Sequence, residues 1–416
     1  MEDRSWSGAV AVRARIRGCL LGGAVGDALG NPVEFLSTDR IRAAHGPDGL
    51  RGLVAAGRGA PAGTVTDDTQ MTLFTAEGLM RARERAAAGG LAGAGTELVR
   101  DAYLRWLDTQ RHDGPPAADE LTHRTGTLRE ERWLYARRAP GNACLSGLEH
   151  AYAPDPAGEL RGEHGPVNPE SKGCGTVMRS APFGLTGAGP RASFELAARC
   201  AQITHGHPTG YYAAGALAAI VHHLLYGESP EAAVLLTLRL LARYPGHEET
   251  TAALGAALDL AADRGAAPGP ERVETLGGGW IAEEALAIAV YCVLVHTPER
   301  RGTGGPAAVS GEAVREALLL SVNHSGDSDS TGAVCGNLLG AHHGDLRLPQ
   351  DWLARVEGRA AITLLADDFA AGFHAGTGRE GRKGRKGPEG LRARGGGAVP
   401  GRPRGGRGAG CPPELP

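Results

Sequence analysis

The chain has 416 residues, 42% of them apolar, enough to bury a sizeable core as one large domain or two ordinary ones. Its seven cysteines, at 19, 144, 174, 200, 292, 335 and 411, are odd in number, include no Cys-x-x-Cys pair and match no zinc spacing; this excludes a disulfide framework and suits reduced thiols. The net charge is −3, yet from Ala375 onward ten Lys/Arg face three Glu, so a tail of +7 follows a body of −10.

In chain order, Glu2, Asp3 and Arg4 open a charged lead with no signal-peptide stretch. Residues 1–12 read as short and disordered. Helix-period segments then dominate: Ile16–Leu29, Thr69–Arg85, Ala92–Leu107, Tyr211–Tyr226, Glu231–Arg243, Thr250–Ala262, Ala282–His296, Glu312–Val322, Thr331–His342 and Trp352–Ala371. Leu and Ala outweigh Val and Ile in most of them, and strand-like alternation is nearly absent. The expected fold is all-α, with one domain over 13–374. The longest apolar run, Ala285–Val295, is about half a membrane span, so a soluble cytoplasmic chain with no membrane partner is expected. The polar stretch Gln110–Glu131, broken by Gly114-Pro115-Pro116, reads as a long loop. Residues 375–416, dense in Gly, Arg and Pro, form a disordered basic tail. Without interleaved aromatics the tail gives no support for nucleic acid as a partner.

Two acidic clusters each stand directly before an apolar helix: Thr66-Asp67-Asp68 within 63–71, and Asp327-Ser328-Asp329-Ser330 within 323–332. Taken singly, each is an ordinary N-cap with an acidic first turn. One capping residue per helix suffices, so four Asp plus Thr66 and Ser330 exceed what capping requires. If the clusters meet, their carboxylates repel unless cations lie between them. An oxygen-only donor set selects a hard ion, Mg²⁺ or Mn²⁺, over zinc. Four Asp with one nearby Glu carry five negative charges, which two divalent ions nearly neutralise.

Gly18, Gly22, Gly26 and Gly30 recur at every fourth residue, as do Gly332, Gly336 and Gly340. In a chain with 65 glycines such triplets arise by chance. Inside apolar helices, however, each glycine costs about 1 kcal/mol relative to alanine, which favours a close-packing role. Asp27 lies within the first stripe and is either an acceptor that orients the site or the partner of an arginine. Glu34 follows Pro32 and is either in the site or solvated. The segment Ser171-Lys172-Gly173-Cys174-Gly175 is a turn with an alternative use as a phosphate cradle, Lys172 adding charge. His205 and His207 are each candidates to hold a base or phosphate, or to bond the backbone at a helix start.

Taken together and in this order, six blocks resemble the ADP-ribosylglycohydrolase family, which includes the dinitrogenase reductase-activating glycohydrolase and the ADP-ribosyl-arginine hydrolases. They are GCLLGGAVGDALGNPVEF (18–35), GTVTDDTQMTLFTAEGL (63–79), RAPGNACLSGL (138–148), SKGCGTVMRSAPFGL (171–185), THGHPTGYYAAGALA (204–218) and NHSGDSDSTGAVCGNLLGA (323–341). The resemblance implies an orthogonal helical bundle with two Mg²⁺ or Mn²⁺ ions in a central cleft. It assigns Thr66, Asp67, Asp68, Asp327, Asp329 and Ser330 as metal ligands, and Glu34 with Asp67, Asp68 and Asp329 as catalytic. It gives 171–175 (Ser171, Lys172, Gly173, Cys174 and Gly175) to the diphosphate and His205 to the bound ADP-ribose. The implied partner is an ADP-ribosylated protein or a small ADP-ribosyl compound met by a monomer. The expected reaction removes ADP-ribose, with arginine favoured as the linkage. A serine or nucleobase linkage and a non-catalytic immunity or ADP-ribose-binding role are the alternatives.

Overall fold

Glycine, not alanine, on the inward faces of two helices lets their backbones meet with no side chain between them. The structure, a computed structural model, describes residues 2–374 apart from 58, 89–94, 118–120, 122, 264 and 298–309. The first part of the chain forms α1 (Glu2–Gly30), α2 (Thr38–His45), α3 (Asp67–Ala87), α4 (Gly95–Arg111) and α5 (Asn142–Gly147). The middle forms α6 (Ala181–Gly184), α7 (Pro190–Ala201), α8 (Pro208–Leu225), α9 (Pro230–Leu241) and α10 (Glu248–Ala262). Then come α11 (Pro270–Val273), α12 (Ala282–His296), α13 (Gly311–Val322), α14 (Ser328–His343), α15 (Gln350–Leu353) and α16 (Arg359–His374). Among the described residues there is no strand, only two isolated bridges, Ala55–Ala62 and Gly173–Ile281. The fold is all-α. No helix among the described residues is long and apolar enough to cross a membrane.

α1 lies along α14 with the two glycine stripes face to face. A Cβ on Gly26 would sit 1.9 Å from the Gly332 carbonyl oxygen, and one on Gly336 1.9 Å from that of Gly22. No side chain fits between these backbones, so the stripe is a packing device as its cost implied. α8, α12 and α14 are buried almost along their whole length and form the centre. α7, α10 and α13 close around them, while α3 packs against α4 and α16.

The helix expected over 16–29 begins at Glu2, so the stretch taken as a disordered lead continues α1. Arg13 and Arg17 fasten it to Asp367 of α16, and Val12 packs on the core. The segment Trp352–Ala371 is not one helix. Gly358, at φ +69°, breaks it into α15 and α16, and a Cβ there would strike the Trp133 ring at 2.4 Å. Of the 110–131 stretch, expected as a loop, Gln110 and Arg111 continue α4, Leu128–Glu130 form a single 3-10 turn, the other described residues are irregular, and the stretch is tethered. The buried Glu77 carboxylate accepts from Thr127 N (2.8 Å) and Leu128 N (3.0 Å) and pairs with buried Arg105 at 2.8 Å. The basic tail from 375 lies outside the described residues.

Candidate active site

Three chain segments bring carboxylates to one cleft of about 370 Å³. The first is the exit of α1. Val33 N and Glu34 N both donate to the Gly30 carbonyl at 2.9 Å, and this turn carries Glu34 to the cleft wall. The second is the start of α3, where Thr66 caps the helix and its hydroxyl accepts from Asp68 N at 3.4 Å. The third is the start of α14, where Asp327 is the cap and accepts from Ser330 N at 3.3 Å.

Asp27, fully buried on α1, resolves its two readings in favour of the orienting role. Its carboxylate accepts from Thr66 N (3.0 Å), Thr69 N (3.1 Å) and the Thr69 hydroxyl, and among the described residues no arginine pairs with it. It therefore holds the turn that presents Asp67 and Asp68. Burial, then Asp329, pushes its carboxyl up to about 7 against these donors.

Glu34, Asp67, Asp68, Asp327, Asp329 and Ser330 all line the cleft. One carboxylate oxygen each from Glu34, Asp327 and Asp329 lie within 4.8 Å of one another. After burial, Asp329 is the largest influence raising Asp67, Asp68 and Asp327 well above the usual carboxylate range. The clusters that the sequence separates by about 260 positions thus share one field. Glu34 is pushed up to about 10 by burial and by Asp329, Asp327 and Asp67. Among the described residues no Lys or Arg lines the cleft. Asp68 Oδ1 is buried without a hydrogen-bond partner among the described residues, a vacant acceptor of the kind that a hard cation satisfies.

The 171–175 loop forms the adjoining wall. Ser171, Gly173, Cys174 and Gly175 line the cleft, and the Cys174 thiol donates to Asp327 Oδ2 at 2.8 Å. Lys172 departs from expectation. Its ammonium is taken by Glu249 (2.6 Å) and Glu283 (2.5 Å), and it does not line the cleft. Two carboxylates from α10 and α12 draw the charge away, leaving the loop's backbone as its means of meeting an anion. Thr66 is likewise buried just behind the lining.

His205 lines the cleft, with Nδ1 on the Thr204 hydroxyl at 2.7 Å and its pKa pushed down to about 3 by burial and Arg179. It is a neutral imidazole. His207 instead caps α8, its ring accepting from Thr209 N at 3.2 Å.

Four positioning residues were not singled out from the sequence. Asn168, at φ +43°, donates to the Ala143 carbonyl (3.1 Å) and the Thr204 carbonyl (2.8 Å), while its own carbonyl accepts from Ser171 N and Gly206 N. Arg138 pairs with Glu357 and donates to the Val65 carbonyl at 2.8 Å, bracing the first acidic turn. Phe35 and Trp280 stand at the cleft mouth. Asn tolerates the left-handed region, which is the local signal available for Asn168. The isolated GGGW at 277–280 carries none.

A family described as ADP-ribosylglycohydrolase matches residues 9–378. The chain is 26% identical over 353 residues to ADP-ribosyl-[dinitrogen reductase] glycohydrolase of Rhodospirillum rubrum, covering 83% of this chain and 92% of that protein. It is 24% identical over 359 residues to the ADP-ribosylarginine hydrolase Tri1 of Pseudomonas putida, covering 85% and 77%. A solved structure of an ADP-ribosylglycohydrolase-related protein complex superposes with a TM-score of 0.56 at 26% identity, covering 86% of this chain and 98% of that one.

Proposed function

The chain belongs to the ADP-ribosylglycohydrolase family, enzymes that hydrolyse glycosidic bonds, and on that premise we propose that it cleaves the N-glycosidic bond of ADP-ribosylated arginine with the help of two divalent cations. The observation that carries this reading is the meeting of two acidic helix starts and Glu34 on one cleft that no Lys or Arg among the described residues lines.

Thr66, Asp67, Asp68, Asp327, Asp329 and Ser330 would hold Mg²⁺ or Mn²⁺. The fit rests on an all-oxygen donor set, on raised carboxyls that gain from a cation, and on the orphaned Asp68 Oδ1. When bound, such ions would supply positive charge that polarises water and orients the ribose hydroxyls, while the site's carboxylates steady the positive charge that develops at the sugar. The protein's own residues do the rest. Gly173 and Gly175 receive the diphosphate through their backbone, Ser171 and Cys174 border it because their own N–H groups are given to the Asn168 and Trp280 carbonyls, and His205 stays neutral beside it. Glu34 moves the proton as water adds at the anomeric carbon and the bond to the guanidine nitrogen breaks, releasing ADP-ribose and arginine. An oxygen donor at each position expected to hold a cation supports catalysis over a binding-only role. The Tri1 similarity supports arginine. The same reading has residues 13–374 acting as a cytoplasmic monomer, with the basic tail unnecessary for the chemistry.

The test presents the protein with defined arginine-, serine- and nucleobase-linked ADP-ribose and measures free ADP-ribose. Release from the arginine linkage that EDTA abolishes and Mg²⁺ or Mn²⁺ restores is the expected result. Preference for another linkage would overturn the arginine assignment, and metal-independent release would overturn the cation assignment.

A further inference from the structure

At the mouth of the cleft two aromatic side chains stand in solvent. Phe35 is 67% exposed and Trp280 43%. Their rings stack with centroids 5.2 Å apart at 25°. Exposure at this level gives little hydrophobic return, so the pair is not explained by core packing. Phe35 is also held at φ +65°, a conformation that is an outlier for a bulky side chain and that persists only where the surroundings impose it.

The surroundings tie both rings to the reacting end of the cleft. Phe35 directly follows Glu34, in the turn closed onto Gly30. The Trp280 carbonyl accepts from Cys174 N at 3.0 Å, and two residues earlier the Gly278 carbonyl accepts from Asp327 N at 2.8 Å. The indole is therefore mounted on backbone shared with the acidic cluster and with the 171–175 loop.

We propose that Phe35 and Trp280 form a stacking lip for a planar cationic leaving group, the guanidinium of an ADP-ribosylated arginine; this rests on the arginine reading above. Charge complementarity selects that occupant. Behind the lip lie five carboxylates and, among the described residues, no Lys or Arg, and two divalent ions would still leave a net negative charge. A guanidinium is flat, weakly hydrated and attracted to aromatic faces. A neutral serine hydroxyl gains nothing from them.

Trp280→Ala and Phe35→Ala should each raise KM for ADP-ribosyl-arginine by about tenfold, the scale of a partly desolvated cation–π contact. Trp280→Phe, which keeps a ring, should restore most of the loss. Affinity for free ADP-ribose, measured by calorimetry, should stay within about twofold, since it lacks the guanidinium. Because both side chains are exposed, circular dichroism should show unchanged helicity. If ADP-ribose affinity falls in parallel with KM, the lip reads the ADP-ribose itself and the assignment is wrong. If wild type turns over the arginine-linked substrate and the alanine variants keep its KM, the linkage reading stands and the lip alone falls. If wild type releases nothing from that substrate, the linkage reading fails and the lip falls with it.

Discussion

The two acidic helix starts look alike in sequence and are held by opposite means. At 66–69 the backbone is gripped by a buried polar group, Asp27, which accepts from Thr66 N and Thr69 N. At 327–331, among the described residues, no carboxylate of α1 accepts from the turn; the turn's own Asp327 and Asp329 take Ser330 N, and Glu274 takes Ser325 N just before it. Asp327 caps its own helix, Gly278 takes its N–H, and the position is set by how closely α14 lies on α1, where a Cβ on Gly30 would be 2.1 Å from the Ser328 oxygen. One start is gripped by a buried carboxylate of α1, and the other by the close backbone seam with α1 together with its own local hydrogen bonds. Both devices belong to α1, which also delivers Glu34 at its exit. A single helix thus fixes the three segments of the site relative to one another, and rigid placement of this kind is what catalytic geometry needs.

The largest effect should come from breaking the steric device. Gly26→Val puts a branched side chain where backbone already lies, 1.9 Å from the Gly332 oxygen, and should cost about 3 kcal/mol or more. Thermal unfolding would show a fall of several degrees or loss of soluble protein, and an unchanged melting curve would mean that the seam is slack. Breaking the polar device should be milder in stability and sharper in function. Asp27→Asn turns one acceptor oxygen into a donor facing the N–H groups of 66 and 69, and turnover should fall about 10- to 100-fold, as for other groups that orient metal ligands. Full activity in that variant would show that the α3 turn holds itself. The smallest effect is expected at the far end of α1. Asp367 is held well below the usual carboxylate range by hydrogen bonds from Arg13 and Arg17. A depressed carboxyl adds stability above its unfolded value of about 3.9, and that stability is lost as pH falls through the folded value. Asp367→Asn should therefore cost about 1 kcal/mol at neutral pH, after screening at a partly exposed cluster, and nothing in strong acid. Thermal melts at the two pH values check this, with turnover at neutral pH expected to match wild type.

Much of this arrangement was legible beforehand, for identifiable reasons. Surplus acid at two helix starts is a local signal, and repulsion argues that the clusters would share cations if they met. Glycine inside apolar helices has a known cost, and its return is the α1–α14 seam. What was not legible depends on chain segments far apart in sequence. Nothing near Asp27 says whether its partner is an arginine or an N–H forty residues away. Lys172 looked available to a phosphate because Glu249 and Glu283, which take its charge, come from α10 and α12. The helical lead was missed because its anchors include Asp367, some 350 residues later. Phe35 and Trp280 meet only in three dimensions, and no periodicity marks either.

The central claim is that the helix starts at 66–68 and 327–330 together hold a pair of divalent cations on which turnover depends. The most direct test is a Mn²⁺ titration of EDTA-treated, dialysed protein, followed at once by electron paramagnetic resonance and by ADP-ribose release. The account predicts two Mn²⁺ per chain with a spin-coupled signature, activity rising with their binding, and loss of both in the double variant Asp67→Asn, Asp68→Asn. A single uncoupled Mn²⁺ at saturation, or full turnover in metal-free protein, would contradict it.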